Sequence, residues 1–156
     1  MDLNGLLAIS GHAGLFKTVK QARNSIIVES LTGGKRMPAY ATSRISALED
    51  IAVYTNAEDV PLAEILKNMY KHLDGKQAVS PKSSGNELKE FFALVLPDYD
   101  QERVYVSDIK RIISWYNLLQ KLGLVDLEDA PEQNKDENAE ENSEEKTEEN
   151  KSEEKE

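Results

Sequence analysis

Ile26-Ile27-Val28-Glu29-Ser30-Leu31, then Thr32-Gly33-Gly34-Lys35, then Arg36-Met37-Pro38-Ala39-Tyr40-Ala41: this stretch decides the class of fold. Its first part is rich in β-branched residues, which suit a half-buried pleated surface. Gly-Gly at the centre of the next four residues predicts a two-residue hairpin turn. The last part returns as a second strand, and Pro38, lacking an N–H, places that strand at a sheet edge.

Working outward, the same pattern of short apolar runs and turn residues continues toward the N-terminus. Leu6–Ile9 reads as a first strand, Ser10-Gly11-His12-Ala13-Gly14 as a turn, and Leu15–Gln21 as a second strand ended by Arg23-Asn24-Ser25. Downstream, Ser46-Ala47-Leu48-Glu49 has capping-box spacing and predicts a short helical turn. Ile51–Thr55 either extends that helix or forms a fifth strand. The strand is preferred, because the run is β-rich and would help close the sheet. Four antiparallel strands, a helical turn and a final strand give the order of an SH3-like β-barrel over residues 1–56.

The periodicity then changes. Leu62, Ile65, Leu66, Met69 and Leu73 fall on one helical face, with Pro61 in the first turn and Gly75 as the stop. Ser84-Gly85-Asn86-Glu87 repeats the capping-box spacing and opens a helix carrying Leu88, Phe91, Phe92, Val95 and Leu96, halted by Pro97. Ser107 or Asp108 is the expected cap of a third helix with Ile109, Ile112, Ile113, Tyr116 and Leu119 in one stripe. Trp115, Leu118 and Leu122 widen that stripe enough to require two neighbours. Gly123 ends the helix, and Leu124–Leu127 should pack back. The expectation is an α+β chain: an SH3-like antiparallel barrel (1–56), a three-helix module (57–127) and an acidic tail (128–156).

Charge separates the tail from the rest. Residues 128–156 hold 14 acidic and 4 basic residues, whereas residues 1–127 hold 15 of each, so the net charge of −10 resides on the tail. From Pro131 onward the one apolar side chain is Ala139. Such a segment cannot bury enough surface to offset an ordering cost of roughly 1–2 kcal/mol per residue, and disorder is expected. Cysteine is absent, which excludes disulfides and thiolate chemistry. No apolar run approaches the ~20 residues of a membrane span, and no signal-peptide pattern is present, so a cytoplasmic protein is expected.

Few motifs point to catalysis. His12 lies in a glycine-rich turn and His72 on the polar flank of a helix, and neither belongs to a catalytic motif. Asp98-Tyr99-Asp100-Gln101-Glu102 begins like a calcium loop, but Arg103 stands where the turn glycine is required and Ile109 where the bidentate glutamate belongs. Gly11-His12-Ala13-Gly14 has the spacing of a backbone-clamping GXXG loop, yet it joins strands rather than helices. No metal, cofactor or catalytic residue is expected. Phe16, Tyr40 and Tyr54, with Lys17, Lys20, Arg23, Lys35, Arg36 and Arg44, are the candidates for a nucleic-acid or partner contact, combining stacking surface with positive charge. The competing account makes the aromatics core residues and the cations a solvated face.

Seven segments together carry a resemblance: Leu6–Gly11 with Gly14–Lys17, Ile27–Leu31, Ser46–Ala52, Leu96–Asp100 with Arg103–Lys110, and Trp115–Leu119. Over about residues 1–127 the chain resembles a family of uncharacterised Bacteroidetes proteins carrying a domain of unknown function. The resemblance implies a bacterial, cytoplasmic setting and supplies no activity, cofactor or catalytic residue. The reading is a non-enzymatic binding or adaptor protein acting through a protein partner. The alternative is nucleic-acid binding by the basic barrel, with the acidic tail as an intramolecular competitor.

Overall fold

Alternation along Leu6–Ile9 (β1) sends Leu7 and Ile9 to one side of a sheet and Leu6 and Ala8 to the other, and both sides find apolar neighbours. The computed structural model describes residues 1–125; the expected disorder of 128–156 and the packing of Leu127 lie outside the described residues. Phe16–Gln21 (β2), Ser25–Ser30 (β3), Arg36–Tyr40 (β4) and Ile45–Ala47 (β5) join β1 in an antiparallel sheet of order β4-β3-β2-β1-β5. Leu7, Ile9, Phe16, Val28 and Ala39 form a small apolar cluster on one side.

The sheet does not close, which corrects the barrel expectation. β4 and β5 are its two unpaired edges. The strand expected to close it, within Ile51–Thr55, is used elsewhere: Ala52–Val53 (β6) pairs with Val60–Pro61 (β7) as a separate ribbon. Ile51 accepts a 2.8 Å hydrogen bond from the Leu62 amide, and Tyr54 and Asn56 bond to the backbone of Asp98 and Asp100. The fifth strand is instead Ile45–Ala47, with Ser46 opposite Ala8, and the one-turn 3-10 helix follows it at Leu48–Asp50. The β3–β4 turn is also longer than two residues: Ser30 and Lys35 bond across it, and Leu31 is drawn to the Leu15 carbonyl and packs on the main core.

The helices are Leu62–His72 (α1), Gly85–Val95 (α2) and Val106–Lys121 (α3). The Ser84–Glu87 capping box forms, with the Glu87 amide donating to Ser84 Oγ at 3.3 Å and the Ser84 amide to Glu87 Oε2 at 3.0 Å. α3 begins slightly earlier than expected, because Asp108 acts from the first turn by accepting from the Tyr105 amide at 3.1 Å. The Gly75–Ser83 connector is held by α3: Asn117 bonds to Ala78 and Val79, Tyr116 Oη donates to Lys76, and Gln120 donates to Gly75. At Gly123 (φ +69°) the chain reverses, and paired bonds from Gly123 to Gln120 and from Leu124 to Leu119 close the helix end.

One core cluster draws on both halves of the chain. Met1, Leu3, Leu15 and Leu48 are buried in the same cluster as Leu62, Ile65, Leu66, Phe92, Ile109, Ile113 and Tyr116. On the sheet, Glu29 stands between Lys17 (3.1 Å) and Arg36 (2.9 Å) on adjacent strands. Hydrogen bonding from Arg36, then from Lys17, holds the Glu29 carboxyl below the usual glutamate range. A depressed carboxylate contributes stability above its unfolded pKa and loses it as pH falls through the folded value.

Two outcomes follow. Leu15→Ala should cost about 2–5 kcal/mol by chemical denaturation, through lost transfer energy and a cavity. Sheet and helix probes should shift together in that variant. In a carboxyl NMR titration, Glu29 should show a midpoint below the ordinary glutamate value, and Arg36→Ala should move it upward.

Candidate functional site

The five-residue stretch Ser10–Gly14 joins β1 to β2 and forms one rim of a groove of about 840 Å³. Gly11 (φ +83°) and Gly14 (φ +82°) let the chain turn there in conformations that side chains with a Cβ resist. Arg44 and Ser46 line the groove from the β5 side, and Ile51–Tyr54 from the β6 side. α3 supplies Asp108, Arg111, Ile112 and Trp115, whose i, i+3, i+4, i+7 spacing puts them on one helical face. The groove therefore lies where the sheet half meets the helical half.

Its polar groups differ in their commitments. Arg103 donates from Nε to Asp100 Oδ2 at 2.8 Å, and its guanidinium sits 4.2 Å from the centre of the Tyr54 ring. Asp100 also accepts from the Glu102 and Arg103 amides, and the Arg103 hydrogen bond leads in holding its carboxyl below the usual aspartate range. The acidic stretch that begins like a calcium loop is thus spent on its own turn. Asp108 is tied to the helix N-terminus. Arg44 and Arg111 make no ion pair with any described residue. Trp115, 7% exposed, and Tyr54, 46% exposed, line the same groove as Arg44 and Arg111.

Apart from Arg44 and Tyr54, the residues expected from sequence to make contacts lie elsewhere. Strand pairing puts Lys17, Lys20, Arg36 and Tyr40 on one face of the sheet, with Glu29 among them. Lys17 and Arg36 both pair with Glu29. Arg23 is in the β2–β3 turn and Lys35 in the β3–β4 turn, at opposite ends of the strands. Phe16 is buried against the small cluster, where His12 meets it edge-on at 6.1 Å, leaving no open ring face for stacking. His12 itself is exposed on the groove rim, and His72 is exposed beside Phe91. Among the described residues, no group of three or more histidine, aspartate or glutamate side chains is placed to hold a metal ion. Arg44 and Tyr54 were expected on the basic surface of the sheet half, whereas no motif joined Arg103 and Arg111 to them. The four-residue spacing of Arg111 and Trp115 was the signal within reach.

Residues 3–48, the sheet, match the family model described as Domain of unknown function (DUF5606). Residues 51–119, the ribbon and helices, match Domain of unknown function (DUF6852). No curated protein matches the chain. A solution NMR structure of a Bacteroides vulgatus protein, a structural-genomics target, is 42% identical, with a TM-score of 0.69. The match covers 89% of this chain and 100% of that one. The chain belongs to this Bacteroidetes family, in which a DUF5606 sheet precedes a DUF6852 helical domain, both of unknown function.

Proposed function

We propose that the protein is a non-catalytic binding protein of the cytoplasm that holds an acidic segment of a protein partner in the groove between its two domains. The observation that carries this reading is that Arg44 and Arg111, which make no ion pair with a described residue, line one groove together with Trp115 and Tyr54. Tryptophan, tyrosine and arginine are the residue types that dominate binding energy at protein interfaces. Arginine suits carboxylates in particular, because its planar fork can donate two parallel hydrogen bonds to one carboxylate. The groove's other ionic groups, Arg103 and Asp108, are engaged within the fold and shape the walls.

Nucleic acid is the weaker occupant. Phosphate-backbone binding commonly draws on about 6–10 contacts, and the groove offers two free guanidiniums. The open cations of the sheet are divided between its two ends and a face shared with Glu29.

Amide NMR titration of the full chain with poly-glutamate, and separately with mixed oligonucleotides, tests the reading. Poly-glutamate should shift Ser10–Gly14 and the Trp115 indole, with weaker binding at higher salt. Replacing Arg44 and Arg111 by alanine should weaken that binding at least tenfold while leaving the remaining spectrum in place. Unmoved groove signals would sink the proposal. Shifts with oligonucleotides alone would transfer the groove to nucleic acid.

A further inference from the structure

We infer that the groove is regulated by the protein's own acidic C-terminal segment, residues 126–156, which occupies it and competes with the external acidic partner. The inference rests on the groove reading above and adds a resident ligand to it.

Three observations carry it. The first is charge: residues 128–156 hold 14 acidic and 4 basic side chains, whereas the groove presents the unpaired Arg44 and Arg111. The second is the point of departure. Trp115 lines the groove from the same helix that leads into the segment, and Val125 is buried in the main core after the reversal at Gly123. The segment is therefore anchored ten residues beyond the groove's indole, of which six are helical, about 9 Å at 1.5 Å per residue, before the chain reverses. The third is length. The 31 residues beyond Val125 can span up to about 100 Å when extended, several times that separation.

Tethering then does what affinity alone does not. A segment on a short covalent linker meets its site at an effective concentration of the order of millimolar, so even individually weak carboxylate–guanidinium contacts compete. An external partner must displace it, which raises the apparent dissociation constant. It also favours partners denser in carboxylates or carrying an aromatic side chain for Trp115 and Tyr54. Because the contacts are ionic and exposed, salt weakens the competition.

The test uses the full chain and one full-length variant in which Glu140, Glu141, Glu144, Glu145, Glu148 and Glu149 become glutamine. Amide and Trp115 indole signals are compared at low salt, at 1 M NaCl, and with added poly-glutamate. The expected result is that groove signals of the unmodified chain at low salt already lie between the free and poly-glutamate-bound positions of the variant. They should move toward the free position in 1 M NaCl, and the variant should bind poly-glutamate at least threefold more tightly. If unmodified chain and variant show the same groove signals and the same affinity, the tail inference is overturned while the groove reading stands. If poly-glutamate leaves the variant's groove unmoved, both fall.

Discussion

Leu15 and Leu48 come from the sheet half of the chain, yet both are fully buried in the cluster that contains the apolar faces of α1, α2 and α3. Everything else in the structure depends on that shared burial. A five-stranded sheet with two open edges and an inner cluster as small as Leu7, Ile9, Phe16, Val28 and Ala39 has little to stabilise it alone. The helices in turn gain a cover, since Leu15 and Leu48 are buried in one cluster with Ile109, Ile113 and Tyr116 of α3. Met1 and Leu3 extend the same contact from the N-terminal side.

The groove is a by-product of this packing. Helix α3 rests against the β1 side of the sheet, with Leu118 approaching Gly14, and its face bearing Arg111 and Trp115 is left opposite the Ser10–Gly14 turn. Arg103, held by Asp100 and stacked on Tyr54, fixes one wall by bonds internal to the loop. Arg44 and Arg111 make no ion pair with any described residue.

Much of the fold was legible in the sequence because it is written in local patterns. Alternating residues and turn glycines located β1 to β4, and the i, i+3, i+4 spacing and the Ser84–Glu87 box located the helices. What was not legible is long-range. Ile51–Val53 has strand character in any setting, and only the approach of Leu62 and Val60 decides that it pairs with β7 instead of closing the sheet. Ile45–Ala47 is too short and too polar to announce itself as the fifth strand. The groove follows the same rule: Arg44 is 59 residues from Arg103 and 67 from Arg111. Local charge instead drew attention to Lys17 and Arg36, whose capacity is spent on Glu29.

The central claim is that sheet and helices share one core and thereby build the groove. Methyl-edited NOE spectroscopy of the full chain tests it most directly. Cross-peaks from the Leu118 methyls to Gly14, and from the Leu15 methyls to core residues of α1 and α3, are the expected result. Their absence, together with different tumbling rates for the sheet and the helices, would contradict the account.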